Sequence, residues 1–196
     1  MSGLNKKEIR VGTLDQEQTI GAARFGAIGS ALPSLENFNV TEGYIGIGYL
    51  PEEGFSVSLG QTASSIKEHN LGPVRVIPNG DEKSITIVAM QTNSDNMSII
   101  VGDDHVTSDG ADSTHGNRMK VDFGRWVGKE GTLVVYLKDG DALGAWCIPH
   151  AQLMESNEVQ VAAANVMGWS MKFVAMAEPG QADMFYLSDD GQILEV

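Results

Sequence analysis

Short apolar segments separated by turn signals run through much of this chain and limit the folds that it can adopt. Residues 84–92 read SITIVAMQT, a run rich in β-branched residues with apolar side chains on both faces. Such runs end at Gly, Pro, Asn and Asp, and none carries the sustained three- and four-residue spacing of a long helix. The sequence therefore predicts a mainly β protein, with residues 84–92 as a central strand.

Two turn signals predict hairpins between neighbouring strands. Pro51 to Gly54 separates YIGIGYL from FSVSLGQ, and Pro and Gly suit the opening and the left-handed position of a tight turn. Asp139 to Asp141 lies between TLVVYL and ALGAWCIP, and Asp-Gly favours a two-residue turn. We expect each pair of flanking segments to pair directly.

Three further segments read as strands. In RMKVDFGRW, residues 118–126, the alternation predicts that Met119, Val121 and Phe123 face inward. NEVQVAA, residues 157–163, and GWSMKFVAMAE, residues 168–178, complete the set. These segments bring the total to several short strands, as in a β-sandwich or small barrel.

One short helix is predicted directly after residues 84–92. Asn93 or Ser94 can cap its first turn, and Asp95 suits the positive end of the helix dipole. Met97 and Ile100 recur at helical spacing, and Gly102 is a natural C-terminal stop.

The chain divides by pattern into three parts. Residues 1–42 form an apolar, Gly-interrupted N-terminal arm, residues 43–179 a β-sandwich or split barrel with one flanking helix, and residues 180–196 a C-terminal extension. Within the core, the polar residues 61–70 are expected to form a projecting loop, and Pro73 and Pro78 confine the strand between them to a sheet edge or strand end.

Charge and hydropathy exclude several classes of protein. Thirteen Lys and Arg against twenty-six Asp and Glu give a net charge of -13, whereas gripping nucleic acid needs concentrated positive charge. No apolar run approaches the roughly 18 residues of a membrane span, and residues 1–12 lack the apolar centre of a secretory signal. We expect synthesis in a cytosol-like compartment and no membrane insertion.

No arrangement of residues indicates catalysis, a metal or a cofactor. Cys147 lies in the apolar segment LGAWCIP and is expected to be a core residue. His105 and His115 lie in an acidic stretch whose spacing fits neither an EF-hand nor a zinc motif, so we interpret it as a solvated loop. The three tryptophans, Trp126, Trp146 and Trp169, could stack on a sugar, but their place in or beside strands favours packing.

The region from Gly43 to Gly102 resembles the major tail tube proteins of long-tailed bacteriophages, especially those that infect actinobacteria. The resemblance depends on an Ile-Gly-Tyr strand, an acidic turn ending in Gly, a Thr-Asn pair after a strand, and a short helix ending at Gly102. Glu53 stands where relatives often have Asp, which keeps the chemistry of the turn. The residues that carry the motif are Ile47, Gly48, Tyr49, Glu52, Glu53, Gly54, Thr92 and Asn93.

The resemblance implies a structural virion protein, not an enzyme, made in the host cytoplasm. Six copies would form a ring, and stacked rings would form the tube through which phage DNA passes without specific binding. Its partners would be itself, a tape measure protein in the lumen, and tail terminator and tail tip proteins. An apolar arm and a projecting loop could join one ring to the next, through Phe25, Ile28, Leu32, Leu35, Phe38, Ser65, Lys67 and Glu68.

Two other functions stay open at this point. One is a β-sandwich that binds carbohydrate or a receptor, in which the tryptophans would line an accessible groove. The other is the tube subunit of a contractile injection system, which shares the same class of fold. Only a tube subunit, of either kind, is expected to form long hollow rods.

Overall fold

The computed structural model describes residues 13–14, 20–60, 63–69, 72–78, 80, 82–124, 128–156, 159 and 166–192. Strands hold 47% of these residues and helical turns 7%, so the predicted mainly β class is confirmed. Among the described residues, the helical elements are α1, Ser94–Val101, and a 3-10 turn, Asp103–His105. The strands are β1 Ala23–Gly26, β2 Tyr44–Gly46, β3 Phe55–Ser58, β4 Ala63–Glu68, β5 Gly72–Pro78, β6 Ser84–Ala89, β7 Val106–Asp109, β8 Arg118–Val121, β9 Glu130–Asp139, β10 Ala142–Glu155, β11 Trp169–Ala175 and β12 Phe185–Asp189.

Eight of the strands form one antiparallel sheet around the long strand β10. The order is β2-β1-β9-β10-β11-β6-β3, and β12 also pairs with β10. The first half of β10, up to Cys147, pairs with β12, and its second half, from Ala151, pairs with β11. Two smaller sheets, β4-β5 and β7-β8, have no strand hydrogen-bonded to this sheet among the described residues.

The large sheet folds over itself to enclose the core. Strands β1 and β11 are three steps apart in the sheet, which would separate them by about 14 Å if the sheet were flat. Yet the rings of Phe25 on β1 and Phe173 on β11 lie with centroids only 5.4 Å apart. Ile85, Leu133 and other buried side chains from both halves, together with Met97 of α1, fill the space between them. The arrangement is β-sandwich-like, as predicted.

A second apolar cluster covers the opposite face of β9 and the first half of β10. Val134, Tyr136 and Cys147 form its floor. Val40, from the segment that precedes β2, and Tyr44, the first residue of β2, cover it. Both faces of the sheet are therefore buried here, which explains why β9 is a nearly continuous buried run and not an alternating one.

The predicted helix and its caps are confirmed. The Asn93 side-chain Oδ1 accepts a hydrogen bond from the Asn96 N–H at 2.8 Å, which satisfies one of the free amides of the first turn. Gly102 ends the helix with a φ of 91° and donates its N–H to the Ser98 carbonyl. The hairpin across Asp139–Asp141 is confirmed as well, because β9 and β10 pair from Asp139↔Ala142 onward.

The predicted hairpin across Pro51–Gly54 is wrong, although its turn is present. The Gly54 N–H donates to the Pro51 carbonyl at 2.9 Å with a Gly54 φ of 73°, yet the flanking strands β2 and β3 lie at opposite ends of the sheet order. The Ile47 N–H instead donates to Ala23, and the Tyr49 carbonyl accepts from Met90. Residues 47–50 therefore cross from one end of the sheet to the other.

The large sheet draws strands from all three predicted parts of the chain. β1 lies within the predicted arm and pairs with β2 and β9, and β12 lies within the predicted C-terminal extension and pairs with β10. All four residues of β1 are buried, which hides the alternation that marks a strand at a surface. The predicted strand at residues 157–163 lies almost entirely outside the described residues.

Candidate functional site

The projecting hairpin, β4 and β5, is the most exposed regular element among the described residues. All six residues of β4 are exposed, and neither described core cluster includes a hairpin residue. The sequence predicted a loop at residues 61–70, and this is wrong for 63–68, which pair with β5 from Ala63↔Pro78 to Glu68↔Gly72. Ser-rich β4 lacks an apolar alternation, so only its pairing with Val- and Ile-containing β5 reveals a strand.

The hairpin exposes large apolar side chains that belong to neither of the two apolar clusters. Val76 is 65% exposed, Val74 58% and Ile66 49%. A two-stranded hairpin is marginally stable on its own in water, and exposed apolar patches of this kind mark contact surfaces. Ser65, Lys67 and Glu68, the predicted contact residues of this segment, all lie on β4.

The predicted contact residues of the N-terminal segment divide into two groups. Phe25 is buried in the core of its own chain, so it is not available for contact with another subunit. Leu32 and Phe38 are partly buried against the second apolar cluster. Ile28 and Leu35 are exposed, and Leu35 is 81% accessible. Only the last two present most of their surface outward.

The Ile-Gly-Tyr motif lies in residues 47–50, which cross from one end of the sheet to the other and contact α1. Ile47 is fully buried, Tyr49 is exposed, and Gly48 adopts a φ of 88° between them. A Cβ at Gly48 would lie 1.9 Å from the Gln91 side-chain Oε1. The positive φ therefore favours glycine at this position, and any Cβ there would also force the Gln91 side chain to move.

Asn96 joins the motif to the helix, and sequence reasoning missed it. Its Nδ2 donates to the Ile47 carbonyl at 3.0 Å and to the Gln91 carbonyl at 2.8 Å, from a fully buried position on α1. The Thr92 Oγ1 accepts from the Trp169 indole N–H at 2.8 Å. Ile47, Gly48, Thr92 and Asn93 thus have structural roles at a single junction, and Glu52 and Glu53 lie exposed in the turn that follows.

An apolar groove of about 450 Å³ opens beside the C-terminal end of α1. Its lining includes Ile100 of α1, Met154 at the end of β10, Trp169 at the start of β11, and Phe123 after β8. The rings of Phe123 and Trp169 stack with centroids 6.3 Å apart and planes 10° apart. Asp122 and Glu155 are the carboxylates on the wall of the apolar groove.

The prediction that Phe123 faces inward is wrong. Phe123 is 66% exposed, whereas Met119 and Val121 of β8 are partly buried against the main core, as predicted. Strand β8 ends at Val121, and the Asp122 N–H donates to the His105 carbonyl, so the alternation stops before Phe123. Phe123 and Met154, which is 51% exposed, leave the apolar groove with an apolar rim.

His150 lies between two glutamates on neighbouring elements. Its Nδ1 is 2.7 Å from Glu178 Oε1, and its Nε2 is 3.3 Å from Glu130 Oε2. The β9–β10 register shifts between Ile148 and Ala151, so His150 lies at a β-bulge of β10. The cluster ties β9, β10 and the segment after β11 together, which the sequence did not predict because the three residues are distant in the chain.

The acidic stretch after α1 is organised by its own hydrogen bonds. Asp112 accepts from the Thr114 and His115 N–H groups, at 2.7 and 2.8 Å, and these bonds hold the pKa of its carboxyl below the usual range. The Arg118 guanidinium also approaches Asp112, at 3.4 Å. Across the described ranges, no three His, Cys, Asp or Glu side chains lie close enough to hold a metal ion together.

Cys147 and Trp146, which were considered for catalysis and sugar binding, are packed against apolar or aromatic side chains. Cys147 is buried in the second apolar cluster, as predicted, and burial raises the pKa of its thiol to about 12. Trp146 packs against Tyr186 of β12 with centroids 4.8 Å apart. Trp126 lies outside the described residues. Among the residues that the structure describes, no helix has the length and hydropathy needed to span a membrane.

Comparison with known proteins gives one clear match. The family model described as phage tail tube protein matches residues 3–194, which is nearly the whole chain. No curated protein matches the sequence.

Proposed function

The chain belongs to the phage tail tube protein family, and from this premise we propose that six copies form a ring and that stacked rings enclose the channel for phage DNA. Family membership makes the protein a structural component of the virion tail, in a family not known for enzymatic activity. The observation that carries the proposal is the match over residues 3–194, together with a fold that leaves sheet edges and an apolar hairpin exposed.

The free sheet edges supply a means of closing a ring. In the described part of the chain, the main sheet ends at β2 on one side and at β3 on the other, and the outer edge of β12 also has no ladder partner. Unpaired edges invite pairing with another chain unless they are covered. We propose that edge strands of neighbouring subunits pair in the ring, so that the sheets join around the channel.

Exposed apolar side chains outside the sheet supply contacts between rings. Among the contact residues expected from the sequence, Ile28, Leu35, Ser65, Lys67 and Glu68 stay in the proposal, with Leu32 and Phe38 as partly buried neighbours. Fully burying one large apolar side chain stabilises a contact by about 1.5–3 kcal/mol. Phe25 is not one of these contacts, because its side chain is buried in the core of its own subunit.

The acidic surface suits a channel that DNA passes through without binding. The net charge is -13, and several basic side chains are already paired with carboxylates in the same subunit, as Lys83 with Asp183 and Lys129 with Asp103, each at 2.8 Å. A wall of the same sign as phosphate avoids the salt-sensitive trapping that clustered Lys or Arg would cause. We therefore propose a net negative lumen, which a charge map of the assembled tube would test; a lumen dominated by Lys and Arg would refute it.

Tail assembly implies further partners and a setting. We propose a tape measure protein in the lumen, contacts with terminator and tip proteins at the two ends, and synthesis in the host cytoplasm. A long-tailed siphovirus of actinobacteria is the proposed source, because the resemblance between Gly43 and Gly102 is to that group. Tubes in virions that lack a contractile sheath would support a siphovirus, and a sheathed virion would point to a contractile system.

Assembly in solution tests the proposal directly. Purified protein should move from small species to rings and rods as its concentration rises, seen by size-exclusion chromatography with electron microscopy. A carbohydrate- or receptor-binding module would stay a discrete species at every concentration. Tail tip proteins should be added as nucleators, because a subunit that needs them would otherwise stay unassembled.

A further inference from the structure

The projecting hairpin carries positive charge as well as apolar surface. Lys67 on β4 and Arg75 on β5 flank the exposed Ile66, Val74 and Val76. Ile66 and Arg75 are direct cross-strand partners, so their side chains lie on the same face of the hairpin. β4 also carries one exposed carboxylate, Glu68, so the two cations leave the hairpin with an excess of positive charge. In a chain with twice as many acidic as basic residues, such an exposed apolar element suits an acidic, apolar partner surface.

The apolar groove has the complementary character. Phe123, Met154 and Trp169 supply its apolar surface, while Asp122 and Glu155 place carboxylates on its wall. Lys120 pairs with Asp122 at 2.8 Å, and Lys172 lies close enough to Glu155 to interact electrostatically while donating to Glu82. His105 is the remaining titratable side chain of the lining.

The strand register places the hairpin and the groove at opposite ends of the same strands. The chain enters the hairpin after Ser58 of β3 and returns into β6 at Ser84, and these two residues are register partners. At the other end of β6, Ala89 pairs with Trp169, which lines the apolar groove. The six residues of β6 separate these ends by about 17 Å.

We propose that the projecting hairpin of one copy inserts into the apolar groove of a second copy, with Arg75 facing Glu155. The proposal rests on the proposed tube function and names the surface that receives the hairpin. Because hairpin and groove lie at opposite ends of β6, the contact is head-to-tail and repeats without closing, which is the symmetry of an open stack. A subunit's own groove lies at the far end of the strands from its own hairpin.

Engineered disulfides test the contact itself. Ile66→Cys with Met154→Cys in the full chain should give a ladder of covalent oligomers on mild oxidation of assembled protein, because Ile66 lies on the same face of the hairpin as Arg75, whereas either single variant should give none. Ile66→Cys with Ser188→Cys, on the exposed face of β12, is the matched control and should not give the ladder. The native Cys147 should form no disulfide in this experiment, because it is buried and burial raises the pKa of its thiol to about 12.

A charge exchange tests the pairing of Arg75 with Glu155. Arg75→Glu alone and Glu155→Lys alone should each raise the concentration needed for stacking by roughly tenfold. The double variant should bring that concentration most of the way back to the value of the unaltered protein. Circular dichroism of each variant would show whether its fold is intact, and the disulfide result decides the matter if one variant misfolds.

The possible outcomes separate this proposal from the tube function. Tubes that form without the Ile66–Met154 ladder, and single charge variants that stack normally, would overturn the hairpin–groove contact and leave the tube function standing. A groove that instead binds a different tail protein or a small apolar ligand in assembled tubes would overturn it in the same way. Intact protein that never assembles, even with tip proteins, would overturn both.

Discussion

At the scale of single residues, Arg24 is a charged side chain that is buried and makes its contacts within its own subunit. It is fully buried on β1, its Nη1 donates to Asn39 Oδ1 at 2.8 Å and to the Val40 carbonyl, and its guanidinium lies 4.3 Å from the centre of the Tyr136 ring. The Tyr136 hydroxyl accepts the Val40 N–H, and burial raises the pKa of that hydroxyl. Arg24 thus fastens the segment before β2 onto the sheet.

Truncating Arg24 should destabilise the subunit. Arg24→Ala removes hydrogen bonds from a charged donor and leaves buried acceptors unpaired, so we expect a loss of about 2–3 kcal/mol in the free energy of unfolding, measured by urea denaturation. Arg75→Ala, at an exposed position, is the control and should change the free energy by less than about 0.5 kcal/mol. Equal effects of the two substitutions would contradict the structural role of Arg24.

Gly48 and Gly54 allow backbone strain to be separated from steric overlap. Both have positive φ, but a Cβ at Gly54 would meet nothing within 4 Å, whereas one at Gly48 would overlap the Gln91 side chain. Gly54→Ala should cost about 1–2 kcal/mol through the backbone alone, and Gly48→Ala should cost more in the same denaturation experiment. If Gly48→Ala were the milder substitution, the junction would not be packed as described.

At the scale of elements, the helix is the part of the fold that is specified most locally. Asn93→Ala should remove the N-cap and lower the free energy of unfolding by about 0.5–2 kcal/mol, seen as a lower Tm. Asn93→Asp keeps an acceptor oxygen and adds charge at the favourable end of the helix, so it should retain the stability of the intact protein. A Tm unchanged by Asn93→Ala would exclude a capping role.

Elements set by neighbouring residues could be predicted from sequence, and elements set by distant pairing could not. The cap at Asn93 and the turn at Gly140 depend on a few adjacent residues, and both are present as predicted. The turn ending at Gly54 also formed, but nothing in it shows that β2 pairs with β1 and β3 with β6. Local chemistry determines a turn, whereas the order of strands depends on contacts across the whole chain.

The candidate site was predictable to a smaller extent. Residues 61–70 were expected to project, and residues 63–68 do lie exposed, but their strand pairing was not visible in so polar a segment. The apolar groove was not predicted, because Phe123, Met154 and Trp169 come from three distant segments. Phe123 continues the alternation of β8 in the sequence, so it was predicted to be a core residue. Only the structure shows that β8 ends at Val121, before Phe123.

At the scale of the whole molecule, the described residues present two unlike surfaces at opposite ends and strands with one free edge at the sides of the sheet. Ends of opposite character favour growth along one axis, and free edges favour closure around it. A subunit built in this way is suited to a tube, which agrees with the family to which the chain belongs. The net charge of -13 would suit the proposed channel for DNA, because a wall of the same sign as phosphate does not trap it.

We propose that this chain builds a hollow tube of stacked sixfold rings. Cryo-electron microscopy of the assembled protein with helical reconstruction would test this proposal, because the map gives the ring symmetry, the lumen and the subunit contacts together. We expect rings of six subunits around a continuous channel, with each projecting hairpin reaching the next ring. Solid fibres, discrete closed oligomers, or protein that remains monomeric with tip proteins present would contradict the claim.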